Sequence, residues 1–152
     1  SFMDKNLTVQ PLTPQLVSEL WSQTYNTQGK PDWSHIFPYY HKDIIFEDSI
    51  QHVEGIADFK ALCQRLTNRS QKLTMQITTV VGDTQHIFLE WIMTITYKKN
   101  PDSSIYGTTH LTLTSEGYII RQRDYYDLWG DIFNAIPWFH KPYRRFMRKH
   151  FG

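Results

Sequence analysis

The feature that most constrains this chain is a change of hydrophobic period at Leu73. Upstream of it, apolar residues recur at helical spacing; downstream they alternate one by one through runs rich in β-branched and aromatic residues. The runs are Leu73 to Val81, His86 to Lys98, Tyr106 to Thr114 and Tyr118 to Asp127. Gly82-Asp83, Asn100-Pro101-Asp102 and Glu116-Gly117 join them, and each join has turn chemistry. Short joins make consecutive strands antiparallel neighbours. The expectation is a meander long enough to twist and curl into a cone.

Helices come first. Thr13-Pro14 is a cap followed by proline at the first helical position, and Leu16, Val17, Leu20, Trp21 and Thr24 share one face of a helix ending before Gly29. Asp32 to Tyr40, carrying Trp33, Ile36 and Phe37, reads as a short second helix broken by Pro38. Ile44 to Asp48 reads as a short strand. Gly55 then opens a third helix, with Ile56, Phe59, Leu62, Cys63 and Leu66 turned toward the sheet. Helices followed by strands predict an α+β class: a cone-shaped, strongly curved antiparallel sheet with the N-terminal helices on its concave face. With 152 residues, 40% of them hydrophobic, one domain is expected over residues 1–152. Its core runs from about residue 13 to 128, and residues 129–152 form an aromatic and basic helical extension.

Composition removes several classes of function. One cysteine, Cys63, rules out an intramolecular disulfide and a thiolate cluster, and its place on an apolar helix face makes it packing rather than nucleophile. Apolar runs such as Ile44-Ile45-Phe46 are too short to span a bilayer, no basic-then-apolar leader precedes them, and a cytoplasmic location is expected. The histidines are scattered without a ligand spacing, so no metal is expected. No glycine-rich phosphate loop is present, so no cofactor is expected either. Basic residues gather after Pro137 instead of lining a groove, which argues against nucleic acid.

Strand parity decides what points into the cone. Along the run from His86 the inward set is Leu89, Trp91, Met93, Ile95 and Tyr97; along the next it is Thr109, Leu111 and Leu113, with His110 outside. In the last run Arg121, Arg123 and Tyr125 share one face and Ile120, Gln122, Asp124 and Tyr126 the other. Two arginines resist burial together, so Asp124 is turned inward. Phe46 does the same for Asp48 in the first strand. Two carboxyls in an apolar interior cannot both stay ionised and unpaired, so one of them should hold a proton near neutral pH, an arrangement suited to acid and base work. A capped or water-bridged aspartate at a strand end is the other reading of each.

At these residues the chain resembles the nuclear-transport-factor-2-like superfamily, in the SnoaL-like branch of polyketide cyclases, ketosteroid isomerases and limonene epoxide hydrolases. The resemblance runs from about Thr13 to Leu128. Glu116-Gly117 followed by Arg123-Asp124-Tyr125-Tyr126-Asp127 is similar to the closing strand of the epoxide hydrolases, which implies a catalytic Asp124. Phe46-Glu47-Asp48 before Gly55 resembles the isomerase segment whose aspartate shuttles protons, which implies that role for Asp48. The fold so implied is a cystatin-like roll. The departures matter equally: Trp91 and Met93 stand where the hydrolases have arginine and a second aspartate, and Trp21 and Thr109 where the isomerases build an oxyanion hole. The resemblance therefore implies neither epoxide hydrolysis nor steroid isomerisation.

What remains is a vessel for a small apolar or carbonyl-containing ligand. Phe46, Trp21, Trp91, Met93, Tyr97, Thr109, Leu111, Leu113 and Gln122 are its expected walls, and Asp124, Asp48 and Tyr126 its expected chemistry. Two functions stay open: a cofactor-free isomerase, cyclase or hydratase, and a non-catalytic binding module. The outer sheet face, rich in Thr, Arg and His, is the expected homodimer surface. Trp138, Phe139, Tyr143, Phe146, Met147 and Phe151 interleave with Lys141, Arg144, Arg145, Arg148 and Lys149. That tail reads as a helix packed on its own domain, with a lid, a dimer arm and a peripheral contact with anionic lipid as alternatives.

Overall fold

The Thr13 side chain accepts a hydrogen bond from the Leu16 N–H at 3.2 Å, and Pro14 occupies the first position of helix α1 (Pro14–Trp21). The computed structural model describes residues 9–25, 28–99, 102–132 and 136–152; the side chains of Tyr97, Ser103, Trp129, Ile132 and Pro137 lie outside that description. Strand β1 (Tyr40–Glu47) turns into β2 (His52–Glu54), and helix α2 (Ile56–Arg69) follows. The long strands are β3 (Ser70–Gly82), β4 (His86–Tyr97), β5 (Ser103–Leu113) and β6 (Ile119–Tyr126). A π-type turn at Leu128–Ile132 precedes the terminal helix α3 (Pro137–Phe151).

Two glycines place these elements. Gly55, with φ at 88°, takes a conformation that side chains resist, and its N–H donates to the Ile44 carbonyl at 2.7 Å, so the chain leaves the sheet and enters α2 abruptly. Gly117, also at 88°, lets the β5–β6 connection close tightly against Pro11.

The sheet order is β2-β1-β6-β5-β4-β3. The meander from β3 to β6 is antiparallel as expected, but β1 pairs with β6 in parallel. The sheet is therefore mixed: α2 carries the chain to the far edge, and three reversals bring β6 back beside β1 in the same direction. β2, a three-residue edge strand, had no signal in the alternation. The expected second helix over Asp32 to Tyr40 is a turn ending in a single 3₁₀ turn at Phe37–Tyr39, and Tyr40 already belongs to β1. Pro38 limits helix length there, and Tyr40 is buried against Phe59.

The sheet's two ends differ. Near the β3–β4 and β5–β6 turns the interior is filled by Leu12, Val17, Ile87, Leu89, Leu111, Leu113 and Ile119, all buried. Near the β4–β5 and β1–β2 turns it stays open. The outer face carries exposed Phe88, Tyr106 and Tyr125, with His86 and His110 in contact at 2.9 Å between ring nitrogens. Among the described residues no helix is long and apolar enough to cross a membrane.

Trp91 and Gly107 face each other across β4 and β5, and a methyl group at Gly107 would fall inside the indole ring. Gly107→Ala is expected to destabilise the protein by about 1–3 kcal/mol in urea unfolding, because the indole must leave a well-packed site. Unchanged stability would show that the ring does not rest on this glycine.

Candidate active site

The open end of the cone is a cavity of about 880 Å³, within the usual range for small-molecule sites. Trp21 from α1, Phe46 from β1, Phe59, Leu62 and Cys63 from α2, and Trp91 and Met93 from β4 form its apolar walls. Helical spacing on α2 and alternation on the strands put these side chains on one surface, so two periodicities converge on a single hollow.

Asp124 is the polar centre of that hollow. Thr109 lies directly opposite it on β5. The Thr109 hydroxyl donates to Asp124 Oδ1 at 2.7 Å, and Gln122 Nε2 donates to the same oxygen at 3.1 Å. Trp91 Nε1 donates to Thr109 Oγ1 at 2.8 Å, and the Tyr40 hydroxyl donates to Gln122 Oε1. Asp124 Oδ2 has no donor among the described residues, and Asp124 lines the cavity. One carboxylate oxygen is thus held by two side-chain donors, and the other accepts from none of the described residues.

Burial pushes the Asp124 carboxyl up to about 6; the Thr109 and Gln122 hydrogen bonds hold it down, and the charge of Asp48 pushes it further up. At that value the ionised form is the major one at pH 7. Burial, reinforced by Cys63 and Asp124, keeps the Tyr40 phenol protonated far above neutral pH. The Cys63 thiol is pushed up to about 12, by burial first and then by Asp124, so it is no thiolate near neutral pH.

Asp48 sits just past the end of β1 and is committed differently. Its Oδ1 accepts from the backbone N–H groups of Ile50 and Gln51 at 2.8 and 2.9 Å, which makes it the cap of the β1–β2 turn. Its Oδ2 accepts from the Tyr126 hydroxyl at 3.3 Å. Asp48 and Tyr126 both line the cavity, so the turn cap and the wall are the same residue.

The structure brings together Asp124, Asp48, Tyr126, Phe46, Trp21, Trp91, Met93, Thr109 and Gln122 around one space. Leu111 and Leu113 are not in its wall. They point inward as parity requires but lie at the filled end, beyond Thr109, where neighbouring side chains leave no room. The Tyr97 side chain lies outside the described residues. Tyr40 was missed because a helix was expected there, although alternation carried back from Phe46 and Ile44 reaches it. Cys63 and Leu66, on the helix face expected to pack on the sheet, line the cavity. Arg69, Lys98 and Lys99 at the rim had no periodic signal.

Comparison with known proteins bears on this site through its frame. No curated protein matches the chain in sequence. Among solved structures, it is similar to a Catenulispora acidiphila protein with a ketosteroid isomerase-like fold in complex with trimethylamine. The two are 17% identical, with 82% of this chain and 93% of that one covered and a TM-score of 0.66. A Jannaschia protein with the provisional name of SnoaL-like polyketide cyclase is 18% identical over 88% of this chain and 99% of its own, at a TM-score of 0.65. An LEH-like epoxide hydrolase from M. tuberculosis is 15% identical over 80% and 90% of the two chains, at 0.62. At such identities the agreement is one of fold, the curved α+β cone of nuclear-transport-factor-2-like proteins. The sequence profile of the SnoaL-like domain matches residues 21–122, from the end of α1 into the strand that carries Asp124, and the chain belongs to that family.

Proposed function

We propose that the chain binds a small, largely apolar carbonyl compound in this cavity and that Asp124 acts on it as a general base, as a cofactor-free isomerase, cyclase or hydratase. One observation carries this reading: a buried carboxylate titrating near 6 in the wall of an apolar hollow, with Oδ1 held by Thr109 and Gln122 and Oδ2 accepting from none of the described residues. Such a base takes a proton from the carbon beside a carbonyl while the electron pair moves onto the carbonyl oxygen; the resulting carboxylic acid then returns the proton at another position. The Tyr126 hydroxyl, on leaving its long hydrogen bond to Asp48 Oδ2, is the candidate donor to the developing oxyanion. Membership of the SnoaL-like family supports the fold-level part of this reading.

A non-catalytic binding module is the second reading, and a specific observation favours it. The donors nearest Asp124 are already engaged, Thr109 with Asp124, Trp91 with Thr109, and Tyr40 with Gln122. In that reading the carboxylate orients a ligand and no proton moves.

Three measurements separate and test these readings. Asp124→Asn is expected to lower solvent-deuterium incorporation into bound cyclic ketones by about 100-fold or more, with ligand affinity within about threefold of the parent. Loss of affinity alone would favour the binding module. Asp48→Asn keeps the acceptor of the turn, so its effect on the same exchange should be smaller. For the parent enzyme, kcat/KM should rise about tenfold per pH unit below about 6 and flatten above it, because the ionised form is the active one.

The same shift predicts a stability effect. The folded state holds the Asp124 proton more tightly than the unfolded state, so ionisation within the fold is unfavourable. This contribution is absent below about pH 4 and lowers stability progressively as pH rises to about 6. At about 1.4 kcal/mol per unit, Asp124→Asn should be more stable than the parent by at most about 3 kcal/mol at pH 7, and the difference should vanish near pH 4. Paired melting curves across this range check it; a constant difference would mean that burial does not perturb the carboxyl. Thr109→Val removes a donor to the ionised form, so carboxyl NMR should find Asp124 titrating above about 6. A downward movement would contradict the proposed clamp.

A further inference from the structure

Helix α3 sets its cations opposite one apolar stripe, with Trp138 and Phe151 lying within and beside the cationic arc. At about 100° per residue, Lys141, Arg144, Arg145, Arg148 and Lys149 fall within an arc of about 140°, and Phe139, Tyr143, Phe146 and Met147 fall on the opposite side. No acidic residue occurs from residue 137 onward. Phe139, Tyr143 and Met147 are half-buried, so one side of the helix is covered. Phe146 is 56% exposed, and Trp138 and Phe151, near the two ends, are 77% and 76% exposed. Large aromatics beside a run of cations suit a boundary between water and hydrocarbon, where the rings enter and the charges stay with the headgroups.

The helix begins at the cavity. Leu128 and Ile136, on either side of the π-type turn and the segment after it, both line the open end, and Arg144 Nη2 donates to the Gly130 carbonyl at 2.9 Å. Arg69, Lys98 and Lys99 stand on the same rim, and among the described residues no carboxylate lies within ion-pairing distance of them. Ile50, 61% exposed, completes the rim with apolar surface. The mouth of an apolar hollow therefore carries three cations and exposed apolar Ile50, with Asp48, held by the β1–β2 turn, as the acid beside them.

We propose that α3 and this rim form a docking surface for an anionic phospholipid bilayer, which seats the cavity mouth on the membrane. A second copy of the chain fits the surface less well, because two-fold pairing of α3 with itself would bring its cations together without an acid to meet them. Docked this way, an apolar ligand passes from bilayer to cavity without crossing water. The inference does not depend on whether Asp124 is catalytic.

Co-sedimentation of the full chain with phosphatidylcholine vesicles, with and without about 30 mol% phosphatidylserine, tests the proposal. Binding is expected to the anionic vesicles only, and to weaken at least about tenfold as the screening length falls from about 10 Å at 0.1 M salt to about 3 Å at 1 M. The combined variant Lys141→Gln, Arg145→Gln, Arg148→Gln, Lys149→Gln should lose about tenfold or more, and so, separately, should Trp138→Ala with Phe146→Ala and Phe151→Ala. Circular dichroism and the pH titration of Asp124 report that both variants keep the fold and the cavity. No sedimentation of the parent at low salt overturns the proposal. So does equal binding by the charge variant, or an aromatic variant that converts a parent dimer to monomer while vesicle binding stays unchanged.

Discussion

The register of β6 decides what chemistry the interior holds. On its outer face Arg121 and Arg123 straddle Glu47 of β1, with nitrogen to oxygen distances of 3.2 and 2.9 Å; on its inner face the same strand presents Gln122, Asp124 and Tyr126. A slip of one residue would exchange the faces. Two guanidinium groups would then enter the apolar hollow, at several kcal/mol each as an order of magnitude, and Asp124 would turn out to water. The Glu47 pairs are partly exposed and contribute little by themselves. Their importance is that the alternative register has no comparable place for the arginines.

Alternation made most of this legible. β4, β5 and β6 are amphipathic at period 2 over long runs, and no helix accounts for Leu89, Trp91, Met93 and Ile95 on one side of Glu90 and Thr94. The convergence of Asp124, Thr109 and Gln122 followed from the same parity. Asp48 was legible as an inward residue, but its hydrogen bonds to Ile50 and Gln51 belong to turn geometry, which alternation does not encode. β2 is too short to carry a period, and the parallel pairing of β1 with β6 depends on where α2 crosses, a property of the whole chain. Tyr40 was hidden by a proline two residues earlier. Leu111 and Leu113 show the limit of parity: it tells inside from outside, but the depth at which a cavity gives way to solid packing depends on side chains from several elements at once.

That division of the interior explains how the fold tolerates an unfavourable carboxyl. The filled end holds Val17, Ile44, Ile87, Leu111 and Ile119, each with essentially no exposed surface, and each such side chain contributes about 1.5–3 kcal/mol by its burial. Against that sum, the roughly 3 kcal/mol that ionised Asp124 costs at neutral pH is one residue's worth. The two functions of the interior are also spatially separate, since β5 passes from Leu113 and Leu111 at the filled end to Thr109 and Ile105 in the cavity wall. The densest packing therefore lies at one end of the sheet and the candidate site at the other.

The two aspartates, both turned inward by strand parity, end with different surroundings because their backbones differ. Asp48 lies where β1 stops and the backbone N–H groups of a turn become available, so its Oδ1 is occupied by hydrogen bonds that any folded state of this turn requires. Asp124 lies within β6, where neighbouring N–H groups are engaged with other strands, and only side chains can reach it. Side-chain donors on one oxygen, set against burial, leave it near the point where a proton can be taken and returned, so position within the strand separates a candidate base from a turn cap.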